Sequence, residues 1–366
     1  MLCVSNGKAP TSHDVARLAG VSQSTVSLVF RGAASGRVGE RTQRAVLDAA
    51  RRLGFRPNAD ARRLRVGGPR MVLIAVPDIV NPFFARVFTG ARAAAREAGY
   101  QVVLSVQRDL DSVAADVAGQ QIDAVLACSL QDGGRPLEEP VPAVVLDAEP
   151  PQGQGSVRFD IAPALTELVD LLYRLGHRSI AHLRSEVRTA TFRERTEAVD
   201  AACAQRGMRR VHAASALDLD GAREAAGALL SSADSGGRPS FTAVVCDDDV
   251  LSVGVYKAAQ ARGLSVPHDL SVTGIDNVDL ATAVTPELTT VDLPGEELGA
   301  TGMRRLIARL EPRGGAPAEA APDPGRQDGE SADGAGGADS GVGVRLPARL
   351  VIRGSTAPPA DPAPRR

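Results

Sequence analysis

Apolar residues recur at helical spacing in three short runs near the amino end. Val15, Leu18 and Ala19 stand at i, i+3 and i+4, and Val26, Val29 and Phe30 repeat the interval. Ala45, Val46, Ala49, Ala50 and Leu53 extend it over a third run from about Glu40 to Leu53. The residues between the runs suit helix ends: Thr11 or Ser12 can cap the first helix, Gly20 ends it, Ser22 caps the second, and Gly54 is a fitting left-handed stop. Three short helices sharing one small core, with an Ala-Gly-Val turn between the first two, predict a helix-turn-helix. The second helix then turns Gln23, Ser24, Thr25, Ser27 and Leu28 outward. Such side chains suit a DNA major groove, where Gln pairs with adenine, Ser and Thr reach phosphates or bases, and Leu touches a thymine methyl. An ordinary solvated helix surface has the same composition, so this face alone does not decide the matter.

The stretch "FRPNADARRLRVGG" follows. Pro57 breaks the preceding helix, Asn58 can cap a new one, and the residues from Ala59 to Arg65 favour helix for less than two turns before Gly67 and Gly68. A helix so short is unstable alone, because nucleation is costly. With a partner it would gather phosphates around Arg62, Arg63 and Arg65, and Leu64 could act as a wedge between base pairs in a minor groove. A flexible arginine-rich linker is the competing reading.

From Arg70 the pattern changes to short apolar runs alternating with alanine-rich helical stretches. "MVLIAVP", "QVVLSVQ", "AVLACS", "AVVLDA", "SVRFD", "SIAHLR", "AVVCDD", "LSVTGID" and "TTVDLP" read as buried strands, separated by helices such as "FFARVFTGARAAAREAG" and "APALTELVDLLYRLG". Repeated β-α units imply parallel sheets covered on both faces, and about ten strands suit two sheets better than one. Ligands in that architecture bind at the carboxyl ends of strands, here between two lobes. Asp78, Asn81, Asp160, Asp247, Asp248 and Asp276 follow apolar runs, and Arg193 and Arg195 open a helix after "SIAHLR". Carboxylates and an arginine converging on a cleft can hold sugar-like hydroxyls. The same Asp residues are equally suited to capping helices and turns.

Charge sharpens the division. Residues 1–66 hold 12 Lys and Arg against 4 Asp and Glu, a net of +8, and the remaining 300 residues carry −10. A small basic module attached to a larger acidic body is what a polyanion partner would require. The four cysteines, Cys3, Cys128, Cys203 and Cys246, are scattered, so neither a disulfide framework nor a zinc site is expected. No apolar run approaches membrane-spanning length and the first ten residues lack a secretory core, which places the chain in the cytoplasm with no membrane partner. No G-x-G-x-x-G, P-loop, G-x-S-x-G or H-E-x-x-H motif occurs, so neither an enzyme nor a cofactor is expected.

"HDVARLAGVSQSTVSLVF" and "RTQRAVLDAARRLGFRPNADARRL" resemble the DNA-binding headpiece and hinge of the lactose-repressor (LacI/GalR) family of bacterial transcription regulators, with the likeness running from Thr11 to Leu64. The resemblance implies that Gln23, Ser24 and Leu28 face base edges, that Ser22, Thr25 and Ser27 face phosphates, and that Leu64 pries open the centre of a palindromic operator. Arg31, Asn58 and Arg62 complete the DNA-binding set. "VPDIVNPFFARVFTGARAAAREAGY", "LGHRSIAHL", "AVVCDDDVLSVGVYKAAQARGLSVPHDLSVTGIDN", "TPELTTVDLP" and "RLPARLVIRGSTAPP" resemble the family's core, which is shared with periplasmic sugar-binding proteins. By position, Phe83, Asp160, Arg195, Asp247 and Asp276 would line its effector cleft. The chain departs from the family at Leu28, where Arg is common, at the longer loop "RGAASGRVGE", with Gly39 where a Ser cap is common, across the short segment Asp109 to Ile122, and at Glu197-Ala198 where a glycine-aromatic pair is typical. It also has no Trp to stack on a sugar ring.

The expected architecture is an all-α helix-turn-helix headpiece (1–57), a hinge helix and linker (58–69), and an α/β two-lobed core like that of periplasmic binding proteins (70–311 and 345–357). A disordered insertion (312–344) and a disordered tail (358–366) complete it, their Gly, Ala, Pro and Asp content leaving too little apolar bulk to order. The expected function is a transcriptional repressor that binds a palindromic double-stranded DNA operator as a homodimer, modulated by a small-molecule effector, a sugar or sugar derivative. A sugar-binding receptor without a regulatory role is the alternative, and it leaves the basic module unexplained.

Overall fold

The computed structural model describes residues 11–30, 38–53, 70–118, 120–131, 141–150, 154–231, 239–310 and 343–360. The chain divides into two compact units, Met1–Pro69 and Arg70–Arg366.

In the first unit lie α1 (Ser12–Ala19), α2 (Gln23–Phe30) and α3 (Glu40–Leu53). Thr11 opens α1 through a capping box, its side chain accepting from the Asp14 amide while the Asp14 carboxylate accepts from Thr11 N. Gly20 closes α1 in the left-handed region at φ 67°, its amide returning to the Ala16 carbonyl. Val15, Ala16, Val26, Val46, Ala49 and Ala50 form the core, and Ala19, Val21, Val29, Phe30 and Leu53 pack around it. Two expected apolar positions lie outside. Leu18 is 44% exposed and Ala45 is exposed. At about 100° per residue, the stripe of Val15, Ala16 and Ala19 leaves Leu18 on its flank, and the small Ala16 takes the contact instead.

The second unit holds two six-stranded sheets. The first lobe contains β1 (Arg70–Val76), α4 (Pro82–Glu97), β2 (Tyr100–Val106), α5 (Leu110–Val117), β3 (Ala124–Cys128), β4 (Ala143–Leu146) and β5 (Gly155–Asp160). The chain then crosses to the second lobe. There it forms α6 (Ala162–Leu175), β6 (Ser179–Ser185), α7 (Ala190–Gln205), β7 (Arg209–Ser215), α8 (Leu219–Ser231), β8 (Ala243–Cys246), α9 (Asp249–Gln260), β9 (Ser271–Asp276), α10 (Leu280–Ala283) and β10 (Thr289–Asp292). α11 (Gly295–Leu310) returns to pack on β3, β4 and α4 of the first lobe. β11 (Val344–Pro347) joins the first sheet and β12 (Arg349–Val351) the second, which makes three crossings in all.

The strand orders are β11-β5-β4-β3-β1-β2 and β12-β10-β9-β8-β6-β7. Each sheet therefore reverses direction beside its first strand, between β1 and β3 and between β6 and β8, and it is there that an open α/β sheet leaves a crevice. Strands such as β3, β4 and β8 are buried along their whole length, as continuous apolar runs in a parallel sheet should be. Two features differ from the expectation. β7, "RRVHAAS", is a half-exposed strand at the sheet's edge whose low hydrophobicity gave no buried-strand pattern. The closing segment is split between the sheets, and β12 pairs antiparallel with β10, so the second sheet is not wholly parallel. Residues 312–342 and 361–366 of the expected insertion and tail lie outside the described residues, whereas Val344 opens β11.

Candidate functional site

The first candidate surface is the start of α2. Ser22 caps the helix, accepting from the Thr25 amide at 3.1 Å, and its hydroxyl also meets those of Ser24 and Thr25 at 2.7 and 2.9 Å. Gln23 donates from Nε2 to Ser12 Oγ at 2.9 Å, which ties α2 back to the first turn of α1. Val26 is buried in the core, so the face opposite it is the one displayed: Ser22, Gln23 and Ser24 are exposed, while Thr25, Ser27 and Leu28 are half-buried. The result is a rigid patch of small hydrogen-bonding groups at a helix N-terminus, where orphan amides also favour an anion. Arg31, Asn58, Arg62 and Leu64 lie outside the described residues.

The second candidate is a cleft of about 560 Å³ in the core unit. Its walls are the carboxyl ends of strands from both lobes: Pro77 and Asp78 follow β1, Ser129 and Gln131 follow β3, and Asp147 follows β4. From the other lobe come Glu186 to Thr189 after β6, Ala216 to Asp218 after β7, Asp248 after β8 and Asp276 at the end of β9. Asn81, Phe83 and Phe84 enter at the N-terminus of α4, and Thr191, Phe192 and Arg195 on the first turns of α7. Three lining residues, Ser129 (φ 50°), Asp147 (φ 46°) and Asp276 (φ 105°), are non-glycine residues in the positive-φ region. Each pays local strain to aim its side chain, a feature that clusters at ligand sites.

Bonds cross the cleft from one lobe to the other. Asn81 Nδ2 donates to Asp248 Oδ2 at 2.8 Å and Thr191 Oγ1 donates to the Asp147 carbonyl at 2.8 Å; outside the cleft lining, Arg158 of β5 meets Glu194 of α7 at 2.6 Å. Arg195 is the hub. It is 3% exposed, donates to the Asp247 carbonyl oxygen, pairs with Asp276 at 3.4 Å and stacks its guanidinium 4.9 Å from the Phe192 ring centre. Burial opposes its charge, but Asp276, Asp147, Asp247 and Asp248 more than compensate and raise its pKa. The carboxylates are shifted in turn. Burial pushes Asp147 up to about 6 despite Arg195. Burial also raises Asp248; it raises Asp276 well above its ordinary value, with Asp248 adding repulsion.

Of the five expected cleft residues, Phe83, Arg195 and Asp276 line it and Asp160 and Asp247 do not. Asp160 is exposed at the end of β5, away from the crevice beside β1 and β3, where it pairs with Pro347 of β11 and its carbonyl accepts from the Ala348 amide. Asp147, one strand nearer the crevice, stands in the cleft in its place. Asp247 turns its carboxylate beneath the floor, where it accepts from His182 Nε2 at 2.8 Å and from the Ser185 amide at 2.9 Å. Its neighbour Asp248 faces the cleft, while Asp249 is tied to Thr290 Oγ1 at 2.7 Å and the Val278 amide at 2.9 Å. In "CDDDV" the alternation of side-chain direction at a strand end decides which carboxylate is offered to a ligand. Asp78 and Asn81 also line the cleft, whereas Arg193 is half exposed and pairs with Glu149 at 3.3 Å. Ser129, Asp147, Thr191 and Phe192 were not among the expected residues; a polar residue directly after "AVVL" was the one available signal for Asp147.

Comparison with known proteins covers both units. Residues 11–58 match the model for bacterial regulatory proteins of the lacI family, and residues 169–331 match that for a periplasmic binding protein-like domain. Catabolite control protein A of Priestia megaterium is 32% identical over 81% of this chain and 91% of its own. The HTH-type transcriptional repressor PurR of Photobacterium profundum is also 32% identical, over 82% of this chain and 92% of its own. Among solved structures, a complex of the transcriptional regulator CelR with cellobiose superposes with a TM-score of 0.63 at 26% identity, covering 94% of this chain and 99% of that one. Matched at its headpiece and along its core alike, the chain belongs to the lacI family of bacterial regulatory proteins, DNA-binding regulators of transcription.

Proposed function

We propose that the protein is a repressor that binds a palindromic operator as a homodimer in the cytoplasm and changes its grip on that operator when a small carbohydrate effector enters the cleft. The observation that carries the effector part is the set of bonds Asn81–Asp248 and Thr191–Asp147, which join the two lobes across the cleft. A ligand seated there competes for or adds to those bonds, and so favours one lobe arrangement over another. The cellobiose held by the CelR relative supports a carbohydrate.

In the dimer, two α2 helices enter successive major-groove half-sites, so protein symmetry imposes operator symmetry. Ser22, Gln23, Ser24, Thr25, Ser27, Leu28 and Arg31 contact bases and phosphates. Asn58, Arg62 and Leu64 belong to a hinge that becomes helical on DNA, with Leu64 wedged at the operator centre. A ligand that shifts the lobes shifts the free energy of hinge formation; a coupling of about 1–3 kcal/mol changes operator affinity about 5- to 150-fold.

The test is selection of bound DNA from a random pool, followed by titration of the selected site with salt and with sugars. Enriched inverted repeats, steep loss of affinity with salt and a sugar-dependent shift are expected. Recovery of no inverted repeat would overturn the operator model, and Leu64→Ala binding and bending the operator as wild type does would overturn the wedge.

A further inference from the structure

Ser12 takes no part in capping its own helix. Thr11 and Asp14 complete the capping box of α1 between themselves, and the Asp14 carboxylate is further held by Arg17 at 2.6 Å. The Ser12 hydroxyl is bonded to the other helix instead: Gln23 Nε2 donates to Ser12 Oγ at 2.9 Å. The fold sets this contact. Ser12 and Gln23 open α1 and α2, whose relative placement is fixed below by Val15, Ala16 and Val26 in one core. At the turn it is fixed by the left-handed Gly20 and by the Val21 amide, which donates to the Ala16 carbonyl at 3.0 Å. Around Gln23 the hydroxyls of Ser22, Ser24 and Thr25 are bonded to one another, so the amide turns to Ser12 rather than to a neighbour on its own helix. The first turn of α2 carries no acidic residue to repel a nucleic acid.

A glutamine amide offers two N–H donors and one carbonyl oxygen. With one N–H given to Ser12, the exposed Gln23 has one N–H and Oε1 left for a partner. Adenine presents the complement of that pair in the major groove, the N7 acceptor beside the N6 donor. Guanine presents two acceptors, N7 and O6; it would engage both N–H groups, and one of them must first leave Ser12. The same bond restrains a long side chain, of a type that is costly to order on binding, before DNA arrives.

We propose that Ser12 is a positioning residue for base recognition. It takes the Gln23 N–H that points away from Oε1 and leaves the N–H beside Oε1 for adenine, so that the half-site position read by Gln23 is adenine and guanine is refused there. The proposal rests on the operator reading above, in which Gln23 contacts a base, and adds the residue that sets what Gln23 reads.

The experiment is fluorescence anisotropy of the full-length protein on duplexes of the selected operator. Each duplex carries one of the four bases in one half-site, at the position whose preference Gln23→Ala erases. Wild type should bind the adenine duplex about 5- to 150-fold tighter than the guanine one, the worth of one bidentate pair. Ser12→Ala should lower that ratio about 2- to 10-fold, the worth of one net hydrogen bond, with the salt slope unchanged because no phosphate-bound cation is removed. Ser12→Thr, which keeps the hydroxyl, should hold the ratio near wild type. In a Gln23→Ala background Ser12→Ala should not change discrimination further, since the bond it removes is already gone. A Ser12→Ala loss spread equally over the four bases would mark a phosphate contact or a helix-stability role and overturn the proposal. An unchanged adenine-to-guanine ratio, guanine preferred by wild type, Ser12→Thr as indiscriminate as Ser12→Ala, or a further loss of discrimination in Gln23→Ala would also overturn it. If no inverted repeat is selected, or no base preference responds to Gln23→Ala, the operator reading itself fails. If Gln23→Ala erases a preference that Ser12→Ala leaves intact, only the role of Ser12 falls.

Discussion

Gly90→Ala should loosen the first lobe and the cleft with it. Gly90 sits where α4 crosses α11. A Cβ there would stand 2.6 Å from the carbonyl carbon and 2.8 Å from the Cα of Glu296, with the carbonyl oxygen nearer still. Non-bonded carbons rest about 3.5–4.0 Å apart, so the helices must separate by about 1 Å. The obstacle is backbone, and α11 is held in place by β3 and β4 behind it, so no rotamer change relieves the clash. Overpacking of this kind costs about 1–3 kcal/mol, here toward the upper end, against a gain of about 1 kcal/mol from replacing Gly by Ala within a helix. A net loss of about 2 kcal/mol is expected. Gly227 of α8 is the control, since a Cβ there meets only the end of the Arg262 side chain, at 3.7 Å; Gly227→Ala should gain up to about 1 kcal/mol. Urea unfolding followed by far-ultraviolet circular dichroism should move the two midpoints in opposite directions. Because α4 carries Asn81 to its 2.8 Å bond with Asp248, Gly90→Ala should also weaken ligand binding. Equal stabilisation of both variants would refute the close crossing.

Asp147 supplies a pH test. Its carboxyl lies at about 6 in the folded core against an ordinary 3.8, so the folded state binds that proton more tightly and is favoured as pH falls from above 6 toward 4. Asp147→Asn should be more stable than wild type near pH 8 and converge on it near pH 4. His177, lowered to about 4 by burial, opposes this trend below pH 6.5 in both proteins and cancels in the difference; a pH-independent gap between the two would contradict the assignment. His177 itself anchors the carboxyl-terminal segment, its ring nitrogens meeting Thr242 at 2.7 Å, Ser271 at 3.1 Å and the Ala357 carbonyl at 3.1 Å. His177→Ala should lower the unfolding free energy by about 1–3 kcal/mol per buried group left unpaired, seen as a lower urea midpoint, and expose residues 355–360 to proteolysis; an unchanged digestion rate would refute the anchor. In the headpiece, Gln23→Ala should cost about 1–3 kcal/mol of operator affinity and relax base preference at one position in each half-site, as fluorescence anisotropy on single-base variants would show. Ser22→Ala should cost headpiece stability about 1 kcal/mol through the lost cap, and a thermal midpoint equal to wild type would count against that cap.

Local chemistry made much of this protein legible in one dimension. Thr11, Gly20 and Ser22 act on backbone groups within four residues of themselves, so the helix limits and the tight turn of the headpiece could be read from the chain. Continuous runs such as "AVLAC" and "AVVC" announced buried parallel strands, because a strand covered on both faces has no polar side to show. β7 escaped because an edge strand with one wet face carries little of that signal.

The cleft was a different kind of problem. That strand-end polar residues would line it followed from topology, yet which of them do so depended on strand order and on the direction of a single side chain. Asp160 ends a strand too far across the sheet, and Asp247 differs from Asp248 only in pointing below the floor rather than above it. Sequence alone therefore determined most of the elements, the two-sheet class and the basic headpiece, since these follow from neighbours along the chain, whereas the edge strand β7 and the split of the closing segment between the sheets did not show in it. Which carboxylates surround Arg195, and which are spent on His182 or Thr290, was decided by residues as far as 81 positions apart meeting in space, and no local pattern encodes that meeting.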